Sequence, residues 1–275
     1  MNAELTGKVV LVTGASGGIG SAIALKFAAE GAKVVLHYRN GKRSVTDVIR
    51  NLDPARAYAV RADLTSEAST RDLFAAAQKR FGRIDTLVAN AGSWETRDVP
   101  LQQMSLNQWR KTLDGVLTTT FLSVREFMRI VERQRWGNLV LIGSTAGVFG
   151  EAGHADYASA KAAIAFGLTR SLKNEFGRLA PHTRDYCGGR VNCICPGWTM
   201  VPRLKSKLAD RKTVRKVTAT MALPQLGRPD DVANAAVFLA SDALARHVTG
   251  QTLELAGGME GRVLWSPGEL NPDIA

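Results

Sequence analysis

The sequence predicts an α/β fold, a doubly wound parallel sheet with helices on both faces, in a single domain over residues 1–275. Three observations carry this reading. Short β-branched runs alternate with longer helical stretches, a glycine-rich turn follows the first run directly, and no Pro/Gly/Ser-rich linker, repeat or low-complexity tract divides the chain.

The strand runs are residues 8–13, 33–38, 57–61, 86–90, 138–144, 190–195 and 252–255, about seven strands in all. Each is mostly apolar without strict alternation, as expected for strands covered on both faces. Helical stretches lie between them. Ile19, Ile23 and Phe27 recur every fourth residue and Gly31 supplies the stop, while in 66–81 Ser66 can cap, Phe74 and Ala77 face inward and Gly82 ends the segment. Helical patterns also cover 155–179 and 230–241. Two segments break the rhythm: a polar insertion at 180–189, and 197–226, which carries Arg203, Lys205, Lys207, Arg211, Lys212, Arg215 and Lys216. Connections of this length are usually functional or mobile, so 197–226 is expected to cover the substrate and 259–275 to form a tail.

The formal charge is +11, but the basic residues are dispersed. Without a clustered stripe interleaved with aromatics, no nucleic-acid partner is expected. No apolar run reaches the roughly 18 residues of a membrane span, and Met1-Asn2-Ala3-Glu4 does not open a leader, so a cytoplasmic protein is expected. Cys187, Cys193 and Cys195 are odd in number and read as reduced thiols, and His37, His154, His182 and His247 show no ligand spacing, so no metal is expected.

Thr13-Gly14-Ala15-Ser16-Gly17-Gly18-Ile19-Gly20 joins the first strand to the first helix. Unpaired amides and the helix dipole stabilise a pyrophosphate at such a place. Gly14 permits the tight turn, Gly18 the approach of the phosphate and Gly20 the packing of helix on strand. An ordinary tight turn is the competing explanation. The second strand ends His37-Tyr38-Arg39-Asn40, with Lys42 and Arg43 following and no acid in reach. A cation there accommodates the 2′-phosphate of NADP(H), which is therefore preferred, with NAD(H) as the alternative.

Tyr157 and Lys161 stand one turn apart in an alanine-rich helical segment. A cation beside a phenol favours the phenolate, so Lys161 is expected to lower the Tyr157 pKa from about 10 and make it a usable proton donor. Ser144 ends the fifth strand, where its hydroxyl can bond a substrate oxygen. A surface Tyr/Lys pair is the competing explanation.

Together these residues resemble a known family, the classical short-chain dehydrogenase/reductases, with their Rossmann-type fold. The resemblance runs from Gly7 to about Gly258 and includes the glycine turn, Asp63-Leu64, Asn90-Ala91-Gly92, Ser144, Tyr157-x-x-x-Lys161 and Pro196-Gly197, in the family's order. It implies an enzyme that moves a hydride between nicotinamide and a carbonyl or secondary alcohol. Ser144, Tyr157 and Lys161 would be catalytic. Gly14, Ser16, Gly18, Ile19, Gly20, Arg39, Asp63, Leu64, Asn90, Gly92, Pro196, Gly197 and Thr199, with Tyr157 and Lys161, would bind the cofactor. Two positions depart from the family. Its catalytic asparagine falls on Val116, where the backbone carbonyl or Asp114 would have to substitute, and its usual threonine falls on Val201, with Thr199 as stand-in.

Trp94, His154 and Trp198 are candidate substrate walls. The general pattern is nearest to 3-oxoacyl-[acyl-carrier-protein] reductases, so a carrier-bound 3-oxoacyl thioester is the first substrate expectation and a sugar or polyol the second. Arg129, flanked by Arg125 and Arg133, stands where those enzymes dock the carrier, whereas Asn174, next to Lys173, replaces a second arginine. The family also implies a homotetramer, and the tail from Glu260, with Trp265, is expected to reach a neighbouring subunit. The rival from another class is a cofactor-binding sensor or scaffold without turnover.

Overall fold

The computed structural model describes residues 2–93, 95–183, 188–204 and 208–264. Trp94, Cys187, Lys205, Lys207 and Trp265 lie outside the described residues. The strands are β1 (Val9–Val12), β2 (Lys33–Tyr38), β3 (Ala57–Arg61), β4 (Thr86–Ala89), β5 (Asn138–Ile142), β6 (Arg190–Pro196) and β7 (Thr252–Leu255). They form one sheet in the order β3-β2-β1-β4-β5-β6-β7, and every pairing is parallel. Strand order reverses between β1 and β4. A crevice opens at the carboxyl ends there, where open α/β sheets take their ligands.

The helices in chain order are α1 (Gly18–Ala29), α2 (Lys42–Ile49), α3 (Glu67–Phe81), α4 (Leu106–Leu113), α5 (Thr119–Gln134), α6 (Thr145–Phe149), α7 (Ala155–Ala162), α8 (Thr169–Leu179), α9 (Arg211–Thr218), α10 (Pro229–Ala240) and α11 (Asp242–Ala245). Side chains alternate across a strand, so β1 sends Val10 and Val12 into one core with Ile23, Phe27 and Val232, and Val9 and Leu11 into the other with Phe74, Phe127 and Phe176. That alternation explains why β1 lacks a polar face. α1 and α10 cover the first side; α3, α5 and α8 cover the second.

The predicted ends of several elements shift for local reasons. Ser66 caps α3 by accepting the Ser69 N–H, as read from sequence. The predicted helix 155–179 is instead α7, a π-helical segment Ala163–Leu168, and α8. Thr169 marks the join by donating its hydroxyl to the Ile164 carbonyl at 2.8 Å. Arg190 is buried at the start of β6, where it pairs with Asp242 at 2.8 Å and donates to the Leu239 carbonyl at 2.8 Å, tying the sheet to α10 and α11. Among the described residues, no helix is long and apolar enough to cross a membrane, and no group of His, Cys, Asp and Glu is arranged to hold a metal.

Candidate active site

After β1 the chain turns at once into α1, with Gly14 at φ +67°, a conformation that side chains rarely adopt. Two neighbouring strands brace the turn. Just after β4, Asn90 Nδ2 donates to the carbonyls of Thr13 (2.9 Å) and Gly14 (3.3 Å), and Thr13 Oγ1 accepts the N–H groups of Asn90 and Ala91. From β2, His37 Nδ1 accepts the Gly14 N–H at 3.0 Å while its other ring nitrogen donates to the Ala62 carbonyl at 3.1 Å. Those two partners require a neutral ring. Burial keeps it so by lowering the His37 pKa to about 4.

Gly20 sits where a Cβ would overlap the Gly14 carbonyl oxygen and stand 2.7 Å from Asn90 Nδ2. Helix and strand therefore approach more closely than any side chain permits. The first amides of α1 have no intrahelical partners, and Gly17 at the N-cap brings no side-chain cap. These donors open onto a cleft of about 530 Å³. A pyrophosphate takes such donors and the positive helix end together, so the residues present fit a dinucleotide.

Ser144 caps α6 in an extended conformation, its Oγ accepting the Ala146 N–H at 3.1 Å. α7 then brings Tyr157 beneath it. Burial pushes the Tyr157 phenol up to about 12, against a hydrogen bond from Ser144 that favours the phenolate. Lys161 is buried, and its Nζ donates to the Ile142 carbonyl at 2.6 Å and lies 5.8 Å from the centre of the Tyr157 ring. Burial lowers the Lys161 pKa to about 8. The expectation that Lys161 lowers the phenol's pKa is thus corrected: burial dominates and raises it, while the ammonium donates to a backbone carbonyl. Sequence reading also missed Asp156. This buried carboxylate accepts Thr112 Oγ1 at 2.7 Å and the N–H of Tyr157 itself at 2.8 Å, which fixes α7 against α4.

The cleft gathers the predicted residues from distant parts of the chain. Gly14, Ser16, Gly18, Ile19 and Gly20 line it from the turn, Asn90 and Gly92 from the end of β4, and Pro196, Gly197, Trp198 and Thr199 from the end of β6; Ser144, His154, Tyr157 and Lys161 line it as well. Arg39, Asp63 and Leu64 do not line it. Arg39 stands after β2 with its guanidinium 4.0 Å from the Asp63 carboxylate, and the Leu64 side chain is buried in the core. Trp94 is outside the described residues.

Both expected substitutes for the family's asparagine already accept hydrogen bonds. Val116 lies in a π-helical turn, Asp114–Thr118, and its carbonyl already accepts the hydroxyls of Thr119 (3.1 Å) and Thr120 (2.8 Å). Asp114 is exposed and accepts the Thr118 hydroxyl. At the second departure, Val201 and Pro202 lean over the turn, each 3.0 Å from a Cβ placed on Gly18, while Thr199 donates its hydroxyl to the Gly197 carbonyl. Ser44 and Arg262 are lining residues that the sequence did not reveal, while Thr96 and Glu151 come from connections beyond the strand ends and Arg203 from the 197–226 segment expected to cover the substrate. The described part of the tail, 260–264, brings Arg262 back to its own cleft.

A family model described as Enoyl-(Acyl carrier protein) reductase matches residues 14–260. Over 257 residues the chain is 34% identical to the 3-oxoacyl-[acyl-carrier-protein] reductase of Synechocystis sp., covering 93% of this chain and 98% of that protein. The chain is a short-chain dehydrogenase/reductase. Another such relative, the 3-oxoacyl-[acyl-carrier-protein] reductase FabG of Aquifex aeolicus, is 36% identical over 94% of this chain and 100% of its own length. The 3beta-hydroxysteroid dehydrogenase 1 of Eggerthella lenta is 35% identical over 93% of this chain and 95% of its own. As a short-chain dehydrogenase/reductase, the chain is an oxidoreductase acting between C=O and CH–OH, and its membership implies a nicotinamide cofactor.

Proposed function

We propose that this enzyme reduces the ketone of a 3-oxoacyl thioester with NADP(H), using Ser144, Tyr157 and Lys161. The observation that carries the reading is a phenol held protonated by burial, hydrogen-bonded by Ser144, beside the glycine turn. A protonated phenol is the form that reduction needs. Ser144 and Tyr157 hold the ketone oxygen, and Tyr157 passes its proton to that oxygen as negative charge develops. The bound nicotinamide supplies the hydride. Lys161 keeps a positive charge beneath the phenol and stabilises the phenolate that proton transfer leaves.

The half-exposed Arg39, with no acid at the end of β2, supports the choice of NADP(H). Trp198 and His154 supply substrate walls. For a carrier-bound substrate, Arg129 on α5 is half-exposed and pairs with Glu126 at 2.8 Å. Exposed Phe121 beside a groove of about 550 Å³ between α5 and α8 supports a homotetramer covered there. Two free buried thiols, Cys193 and Cys195, suit a reducing, cytoplasmic setting.

A pH profile follows from the two lysine and tyrosine values. The phenol, at about 12, stays protonated through the working range, whereas Lys161, at about 8, loses its charge above that point. kcat/KM for reduction is therefore expected to be flat up to about pH 8 and to fall about tenfold per unit beyond it. A profile that rises across this range refutes the assignment of Lys161.

The substrate assignment is tested by steady-state assay of NADPH and NADH against 3-oxoacyl thioesters, simple ketones and polyols. The highest kcat/KM is expected for a 3-oxoacyl thioester with NADPH. Superior polyol oxidation would replace this reading with a sugar dehydrogenase, and nucleotide binding without turnover across the panel would replace it with a sensor.

A further inference from the structure

Arg262 lies two residues past the end of the family match at 260, yet it lines the same cleft as Ser144 and Tyr157. The chain that carries it is fastened down. Met259 forms an antiparallel bridge with Met221, the Glu260 N–H donates to the Thr220 carbonyl at 3.1 Å, and Thr220 Oγ1 donates to the Gly261 carbonyl at 2.9 Å. The side chain is mostly buried, its exposure only 20%.

Its donors are unevenly used. Nε donates to the Gly150 carbonyl at 3.2 Å, and Nη2 reaches Thr145 Oγ1 at 3.4 Å and Glu151 Oε2 at 3.5 Å. Among the described residues, Nη1 has only the Met259 sulfur, at 3.9 Å. A thioether is a weak acceptor that a carbonyl oxygen outcompetes. Thr145 directly follows Ser144 in the chain, and both line the cleft that Arg262 lines.

A second observation marks this wall as polar. His154 lines the cleft with a side-chain exposure of 7%; its Nε2 faces Asp98 Oδ1 at 3.7 Å, and its buried Nδ1 has no hydrogen-bond partner among the described residues. A cleft meant for an alkyl chain alone would not carry such groups. Glu151 bears on the charge of the group that Arg262 receives. It already compensates Arg262, and an incoming carboxylate would face it across the same wall, whereas an uncharged acceptor meets the guanidinium without that repulsion.

We infer that Arg262 is a specificity-determining residue that donates a hydrogen bond to the thioester carbonyl oxygen, while Ser144 and Tyr157 hold the ketone oxygen. This rests on the reading that a 3-oxoacyl thioester is the substrate. Two oxygens in a 1,3 relationship are thereby gripped from two sides, and the extra contact is one the matched family segment does not contain.

The experiment compares wild type, Arg262→Ala and Arg262→Lys on three compounds: the acetoacetyl thioester of N-acetylcysteamine, free acetoacetate, and 2-pentanone. For Arg262→Ala, kcat/KM on the thioester is expected to fall roughly ten- to hundredfold, since a charged donor is lost, with 2-pentanone changed less than about threefold. Arg262→Lys recovers part of the loss. An equal fall on thioester and 2-pentanone overturns the inference and leaves the substrate reading intact. A loss confined to acetoacetate overturns it in favour of a carboxylate reader. Wild type that reduces 2-pentanone but not the thioester overturns both. Thermal melts of each variant, read together with the 2-pentanone rate, separate a folding defect from lost recognition.

Discussion

Tyr157→Phe is expected to lower kcat for ketone reduction by roughly 10²–10⁴-fold, the usual worth of a positioned proton donor, while NADPH affinity stays close to wild type. Burial raises the phenol's pKa to about 12, so it keeps its proton at neutral pH. Phenylalanine keeps the ring and its packing against the core and removes only the hydroxyl. Stopped-flow measurement of the hydride step and a nucleotide fluorescence titration check the two halves separately. Undiminished turnover with bound nucleotide would remove Tyr157 from the chemistry.

Gly20→Ala should strike at the cofactor as Tyr157→Phe strikes at catalysis. The added methyl overlaps a backbone carbonyl, that of Gly14, and a backbone cannot swing aside as a flexible side chain can. Overpacking of this kind costs about 1–3 kcal/mol of stability, and relief by moving the turn spoils the amides that face the cleft. A lowered melting temperature together with at least about tenfold weaker NADPH binding is expected. The comparison variant is Gly177→Ala on α8, where a Cβ meets nothing within 4 Å. It should gain about 0.5–1 kcal/mol and leave binding alone, since alanine is the better helix former. Equal behaviour of the two variants would dissolve the steric argument.

Much of this architecture is readable along the chain because its signals are local. The Ser66 cap, the Gly82 stop and the glycine turn each lie within a few residues of what they control. The Cys193 and Cys195 pair also follows from the two-residue period of a strand, and their sulfurs stand 4.0 Å apart in one core. What could not be read depends on burial or on distant segments meeting. The spacing of Tyr157 and Lys161 announces neighbours but not their desolvation, so the direction of the tyrosine shift came out reversed. Asp156 looks like one acid on a helix until α4 packs against it. Arg262 and Glu151, 111 positions apart in the chain, meet only because the intervening chain returns to the same mouth, and no local pattern reports such a meeting.

The imidazole under the glycine turn has a consequence for how the two ends of the cleft behave. Because His37 stays uncharged down to about pH 4, the platform that receives the nucleotide does not change its bonding anywhere in the physiological range. Cofactor capture should be indifferent to acidity at this contact, and sensitivity to pH should enter through the lysine beneath the reacting carbonyl.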